Sequence, residues 1–291
     1  TSAGLKSLTT IMATNGIEDL RKCCGGNGYL LSAGLSALSQ DYLWQVTAEG
    51  DFIILALLTA KSLLKSMQQV QKGKKLTGIV DYFNIATDKN FSLANVKPNP
   101  VIRSDELCNL DYLLSLFRYR ALEKNYNLAK DFTAYMNNNK VRNDVAIDIF
   151  SNELLIAGHA HCYHIIMSNF VGKIKETTNE KLKPILTKLC IMFALCHFLD
   201  ENWGDILSKD QFRLIKERTY EIMKEIRPDA IALVDAFDFS DFVLKSNIGR
   251  YDGNVYEALF DSAQKSILNQ IDPFIGYEKY LQPYTNKELL K

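Results

Sequence analysis

The sequence lacks the charge imbalance that would point it at a polyanionic partner. Lys plus Arg number 34, and so do Asp plus Glu. There is no electrostatic ground for nucleic acid or an anionic membrane as the main partner. Paired cysteine motifs are also missing. The six cysteines, Cys23, Cys24, Cys108, Cys162, Cys190 and Cys196, contain no CxxC spacing. In a chain this large they argue against a disulfide framework and for a reducing compartment. No apolar run reaches the length of a membrane span. The longest, Phe52 to Leu64, is broken by Thr59, Lys61 and Ser62 and reads as a buried helix, so no transmembrane segment is expected. A signal-peptide pattern is absent. Ser2-Ala3-Gly4-Leu5-Lys6-Ser7-Leu8 already reads as helix, and the chain is expected to begin inside a domain. Alternating strands, strand–helix repeats and internal repeats are lacking too.

What is present is helical periodicity. The 291 residues are 47% hydrophobic and 23% charged, the balance of a soluble, packed protein of one large or two ordinary domains. Leu5, Leu8, Ile11, Met12, Ile17 and Leu20 give helical spacing over 1–22, weakened at Gly16. Gly25, Gly26, Gly28 and Gly34 interrupt it. A strong helix spans 51–70, opened by Asp51 and followed by Lys72, Lys74 and Lys75, both favourable to the helix dipole. The polar stretch 72–100 ends in Lys97-Pro98-Asn99-Pro100, and a linker is placed over 76–103, with a short helix near 76–84. From Ser104, Leu107, Leu110, Leu114, Phe117, Ala121, Leu128, Phe132 and Tyr135 share one helical face until Asn137-Asn138-Asn139. Another helix is predicted over 143–173. Thr177-x-x-Glu180 and Ser208-x-x-Gln211 read as capping boxes, and Pro228 as an early helix residue. The expected fold is all-α, packed as helical bundles.

Four constellations could carry chemistry. Cys24-Gly25-Gly26-Asn27-Gly28-Tyr29 is either a helix–helix loop or a place where backbone approaches a cofactor; it lacks a full GxGxxG pattern and a preceding strand. Glu49-Gly50-Asp51 precedes an apolar helix. Glu49 there is either a helix-start carboxylate held by free N–H groups or a general base next to a buried substrate channel, where burial would raise its pKa toward the operating range. His159, His161 and His164 with Cys162 have metal-like composition. On a helix only His161 and His164 share a face, and no HExxH or second ligand cluster accompanies them, so no metal is expected. Gly249-Arg250-Tyr251-Asp252-Gly253-Asn254-Val255-Tyr256-Glu257 marks turns before a helix, with Arg250 and Asp252 placed to pair.

Taken in order, these pieces resemble the peroxisomal acyl-CoA oxidase family. The resemblance is carried by Ser2-Ala3-Gly4-Leu5-Lys6, Gly16-Ile17-Glu18, Cys24-Gly25-Gly26-x-Gly28-Tyr29, Glu49-Gly50-Asp51 and Leu58-x-Ala60-Lys61. It resumes at Ala232-Leu233-Val234-Asp235-Ala236-Phe237-Asp238-Phe239, at Gly249 to Glu257 and at Ser266-x-Leu268-Asn269. It implies that 1–75 is the C-terminal part of the family's first helical domain, on the flavin side and carrying the base. Residues 76–103 would be a linker and 104–291 the second helical domain. It further implies FAD as cofactor, fatty acyl-CoA and molecular oxygen as reactants, trans-2-enoyl-CoA and hydrogen peroxide as products, a homodimer and a peroxisomal location. Glu49 matches the catalytic base, and its backbone N–H one donor to the thioester oxygen. Gly25 and Gly26 match the stretch against the flavin's dinucleotide portion, with Gly50 also at the cofactor.

The match departs from the family at Ala48, where an aromatic residue is usual, at Asn27, where His is usual, and at Phe52, where Asn is usual. The last residues, Lys287-Glu288-Leu289-Leu290-Lys291, are not a Ser-Lys-Leu type address. The chain is expected to be a fragment that is inactive by itself, because the flavin-holding barrel domain of the family has no counterpart in it. Two other readings stand beside the oxidase: a non-catalytic helical scaffold descended from the family, and an acyl-CoA dehydrogenase. The stretch 250–257 favours the oxidase, because dehydrogenases generally lack that second domain.

Overall fold

A computed structural model describes residues 1–101, 103–270 and 276–285. Among these residues every regular element is helical, as the periodicity predicted. The last five residues, with the targeting question they raise, lie outside the described residues. By internal packing the chain forms two compact units, Thr1–Met12 with Gln45–Ala236, and Ala13–Trp44 with Phe237–Lys291. These units and the sequence division at 75 and 104 partition the chain differently.

The first unit takes the start of helix α1 (Ser2–Cys23), and then α3 (Phe52–Gln71), which follows α2 (Leu35–Leu43) of the second unit. The N-cap of α3 is Asp51, whose Oδ1 accepts from the N–H groups of Ile53 and Ile54 at 2.9 and 3.3 Å. Its buried face is Ala56, Thr59, Ala60, Leu63, Leu64, Met67 and Val70, one stripe at steps of three and four. After it come a 3-10 segment (Gly78–Thr87) and α4 (Leu93–Val96). The stretch read as a linker thereby places Tyr82 and Phe83 in the core.

Next are α5 (Leu110–Asn139), α6 (Asn143–Ile149), α7 (Ser151–Glu176), α8 (Leu182–Asp200), α9 (Lys209–Ile226) and α10 (Ala230–Asp235). Helix α5 packs on α7, α3 packs on both, and α8 packs on α9. Two apolar clusters result. One joins Phe117, Met167, Leu195, Phe198, Trp203 and Ile215; the other joins Met67, Phe83, Leu122, Phe132 and Leu154. Small residues let the helices approach. A Cβ on Gly4 would lie 2.6 Å from Cys162 Sγ and 2.9 Å from Thr59, and one on Gly158 would lie 3.1 Å from Ala56 O.

Local details depart from expectation for identifiable reasons. The helix expected from Ser104 begins at Leu110, because Asn109 is extended and its side chain accepts from the N–H groups of Asp111 and Tyr112. Ser104–Cys108 is a separate 3-10 turn. The helix expected over 143–173 breaks at Phe150, whose φ of −94° and ψ of 20° leave the α region while its ring packs on Phe132 and Tyr135. The Thr177 capping box does not form. Thr177 instead ends α7, its hydroxyl donating to Lys173 O, and Asn179 Oδ1 takes the N–H groups of Lys181 and Leu182. The Ser208–Gln211 box forms with both arms. Against the expectation that no apolar run reaches membrane length, helix α8 is long and apolar enough to cross a membrane by length and composition. Its apolar character has a local use: Cys190, Ile191, Ala194, Leu195 and Phe198 are buried in the first cluster.

The second unit contains the rest of α1, short 3-10 turns at Gly25–Gly28 and Leu31–Ala33, α2, α11 (Asp241–Leu244), α12 (Val255–Lys265) and α13 (Gln282–Thr285). Its two chain segments are stapled at the buried Ala33. Ser246 Oγ donates to Ala33 O, and the N–H of Asn247 donates to Ser32 O at 2.9 Å. Arg250 and Asp252 form the anticipated pair, Nε to Oδ1 at 2.9 Å, and Tyr251 N–H donates to Asp241 Oδ1.

Candidate active site

The segment 47–51 is a tight turn ahead of α3. Glu49 has φ of 56°, one of four described non-glycine residues on the left-handed side, and Gly50 follows at φ 112°. A left-handed glutamate costs on the order of 1 kcal/mol, which the surrounding contacts must offset. Gly50 has no substitute there, since a Cβ would also lie 2.9 Å from the Leu55 side chain. The cap of α3 is Asp51, not Glu49. The side chain of Glu49 is exposed, and among the described residues none bonds its carboxylate. Just beyond it, Ile53, Ile54 and Leu58 also expose apolar side chains. An exposed carboxylate is thus followed within nine positions by three exposed apolar side chains.

Residues of α1 hold this turn from behind. Lys6 Nζ donates to Gln45 O at 2.7 Å, Ala48 O at 2.8 Å and Gly50 O at 2.7 Å. An ammonium has three donors, and all three are used. The neighbouring Ser7 is buried; its hydroxyl donates to Phe52 O at 2.5 Å and lies 3.2 Å from His159 Nε2. Burial pushes the His159 pKa below the ordinary histidine value. Neither Lys6 nor Ser7 is marked by periodicity or by a motif spacing that assigns it a role. The signal was the quoted Ser2–Lys6 stretch, which resembles the family without saying what the lysine touches.

The glycine loop belongs to the second unit. Gly25 has φ of 56°, and a Cβ on Gly25 or Gly26 would meet nothing within 4 Å, so both present open backbone. Gly28 differs. A Cβ there would lie 2.0 Å from Arg21 O, so Gly28 is the close-packed member. In the same unit a cleft of about 830 Å³ is lined by Glu18, Arg21, Tyr29, Leu31, Gln40 and Leu268. Arg21 pairs with Glu18 at 2.7 Å on its wall.

A model of the acyl-CoA oxidase family matches residues 109–286, and a model of that family's C-alpha1 domain matches residues 1–64. The chain belongs to the acyl-CoA oxidase family. It is 36% identical over 294 residues to peroxisomal acyl-coenzyme A oxidase 1 of Arabidopsis thaliana and 35% over 291 residues to that of Mus musculus. These alignments cover 99% and 98% of the chain and 43% of each relative. The chain thus spans less than half the length of the curated relatives it matches. The solved Arabidopsis acyl-CoA oxidase 1 superposes with a TM-score of 0.88 at 35% identity, covering 99% of the chain and 43% of that protein. A Caenorhabditis elegans acyl-CoA oxidase-2 bound with FAD, ascaroside-CoA and ATP superposes at 0.87 with 28% identity, covering 99% and 42%.

The three residues expected to depart from the family sit in different places. Ala48 is half-buried, and its carbonyl is one of the Lys6 acceptors; Phe52 is half-buried, and its carbonyl receives Ser7; Asn27 is exposed in the glycine loop. Among the described residues no group of three or more His, Cys, Asp or Glu side chains is placed to hold a metal ion, and the histidines have other neighbours. His161 Nδ1 lies 2.9 Å from the Tyr82 hydroxyl, and His164 meets the edge of the Tyr82 ring. Both are buried and pushed down to about 4, chiefly by that burial.

Proposed function

We propose that the protein is an FAD-dependent acyl-CoA oxidase, converting a fatty acyl-CoA to the trans-2-enoyl-CoA with reduction of O2 to H2O2, in peroxisomal fatty-acid β-oxidation. The reading rests on Glu49: an exposed carboxylate on a left-handed turn whose backbone Lys6 clamps, followed along the chain by exposed Ile53, Ile54 and Leu58. An acyl chain needs apolar side chains, and its α-carbon needs the base.

Glu49 would take the α-proton while the β-hydrogen leaves with its bonding pair and the double bond forms. As the proton departs, negative charge grows on the thioester oxygen, and the Glu49 N–H would donate to it. Bound FAD would supply the two-electron acceptor that O2 reoxidises. Gly25, Gly26 and Gly50 are the residues proposed to lie at it. The open backbone of Gly25 and Gly26 fits such a group, since no side chain stands in the way. The family's division into 1–75, 76–103 and 104–291, the homodimer and the peroxisomal location are part of the same proposal.

The test uses the full-length protein loaded with FAD. Addition of a fatty acyl-CoA is expected to release peroxide, and Glu49→Gln to lower that rate by about a hundredfold or more. Turnover that survives Glu49→Gln undiminished would defeat the assignment of the base.

A further inference from the structure

Lys6 does more than close a loop. Its ammonium reaches three carbonyls of one short stretch, Gln45, Ala48 and Gly50, each within 2.8 Å. The Ala48 contact has a particular consequence. Ala48 O and the Glu49 N–H belong to a single peptide group, in which C=O and N–H point in opposite directions across a conjugated plane. A positive charge donating to the oxygen draws electron density from the nitrogen. The N–H on the far side becomes a stronger donor, as in any polarised hydrogen-bond chain. Half-burial of Lys6 keeps water from screening this fully.

We infer that Lys6 is a positioning residue for the Glu49 turn that also polarises the Ala48–Glu49 peptide, strengthening the Glu49 N–H as donor to the substrate's thioester oxygen. The inference rests on the proposal that Glu49 is the base and its N–H a thioester donor. A neutral donor could keep part of the tether, but it polarises the Ala48–Glu49 peptide less than a charge does. That difference can be measured.

The probe is a thia-acyl-CoA with sulfur in place of the β-carbon and an isotope label in the thioester carbonyl. It has an α-proton to lose but no β-hydrogen to leave. Two readouts are taken on the full-length, FAD-loaded protein: the stretching frequency of the bound carbonyl, and exchange of the α-proton with deuterium oxide. In Lys6→Met the frequency is expected to move back toward its value in free solution, with α-exchange slowed about tenfold or more. Lys6→Gln keeps a donor without the charge and is expected to move the frequency in the same direction by less, so it serves where Lys6→Met does not fold. A carbonyl frequency unchanged from wild type in either variant overturns the inference. Glu49→Gln keeps its backbone N–H, so it is expected to retain the wild-type frequency while losing exchange. If it instead exchanges normally, the base assignment fails, and the Lys6 frequencies still decide the role of Lys6.

Discussion

The hydroxyl of Tyr82 lies 2.9 Å from Nδ1 of His161, in a part of the core where both residues are at most 2% exposed. A tyrosine from the stretch with linker composition thus satisfies a polar atom of a central helix. Tyr82→Phe removes one partner and leaves the imidazole nitrogen buried alone. The expected loss is about 1–3 kcal/mol. Calorimetric melting of the variant checks it, and an unchanged melting temperature would contradict the structure here.

Acid should weaken the fold through its buried histidines. Burial pushes His161 and His164 down to about 4 and His197 to about 3, with Arg120 beside His197 adding to the effect. In the unfolded chain these groups protonate near 6.5. Above that value both states are neutral and the histidines add no pH dependence. As pH falls below it, the unfolded chain takes up protons that the folded one refuses, so stability declines until the folded groups protonate near 4 and 3. Melting temperature followed from pH 7 downward is expected to drop in that window. Replacing His197 by a neutral isostere such as Gln should flatten the drop.

Two glycines of one loop should behave oppositely. Gly28→Ala drives a Cβ to 2.0 Å from Arg21 O, and since the obstacle is backbone, the loop itself must shift. A cost of about 1–3 kcal/mol is expected. Gly26→Ala meets nothing within 4 Å and should leave the melting temperature alone. If the loop lies against FAD as proposed, Gly26→Ala lowers the flavin content of the purified full-length protein without destabilising the apoprotein.

Neighbouring carboxylates should separate stability from catalysis. Asp51 caps α3 through Ile53 and Ile54, so Asp51→Ala is expected to cost about 1 kcal/mol. Glu49 bonds no described residue, so Glu49→Gln should leave the melting temperature within about 0.5 kcal/mol of wild type. Its effect should appear in peroxide release. Equal destabilisation by the two variants would mean that Glu49 has a structural partner.

Local signals were legible wherever the information lay within a few residues. The Ser208 box, the Asp51 start of α3 and the Arg250–Asp252 pair each depend on short-range geometry, and each forms. Thr177 shows the limit. It has the right partner spacing, but α7 runs on far enough to use Thr177 as its end, and Asn179 caps the next helix. Which of two competing polar residues wins depends on where the preceding helix stops, and packing decides that.

By itself the sequence determined an all-α chain, the approximate helices and the family, because periodicity and ordered motifs are local properties. Tertiary structure decided how the candidate base is held. Lys6 and Gly50 are separated by 44 positions along the chain, and nothing in their spacing brings them together. Their meeting depends on α1 packing closely on α3 and α7, which Gly4 permits by having no side chain. Likewise only the fold left Glu49 exposed on a left-handed turn. A sequence shows which residues are available to satisfy the end of a helix, and packing selects among them.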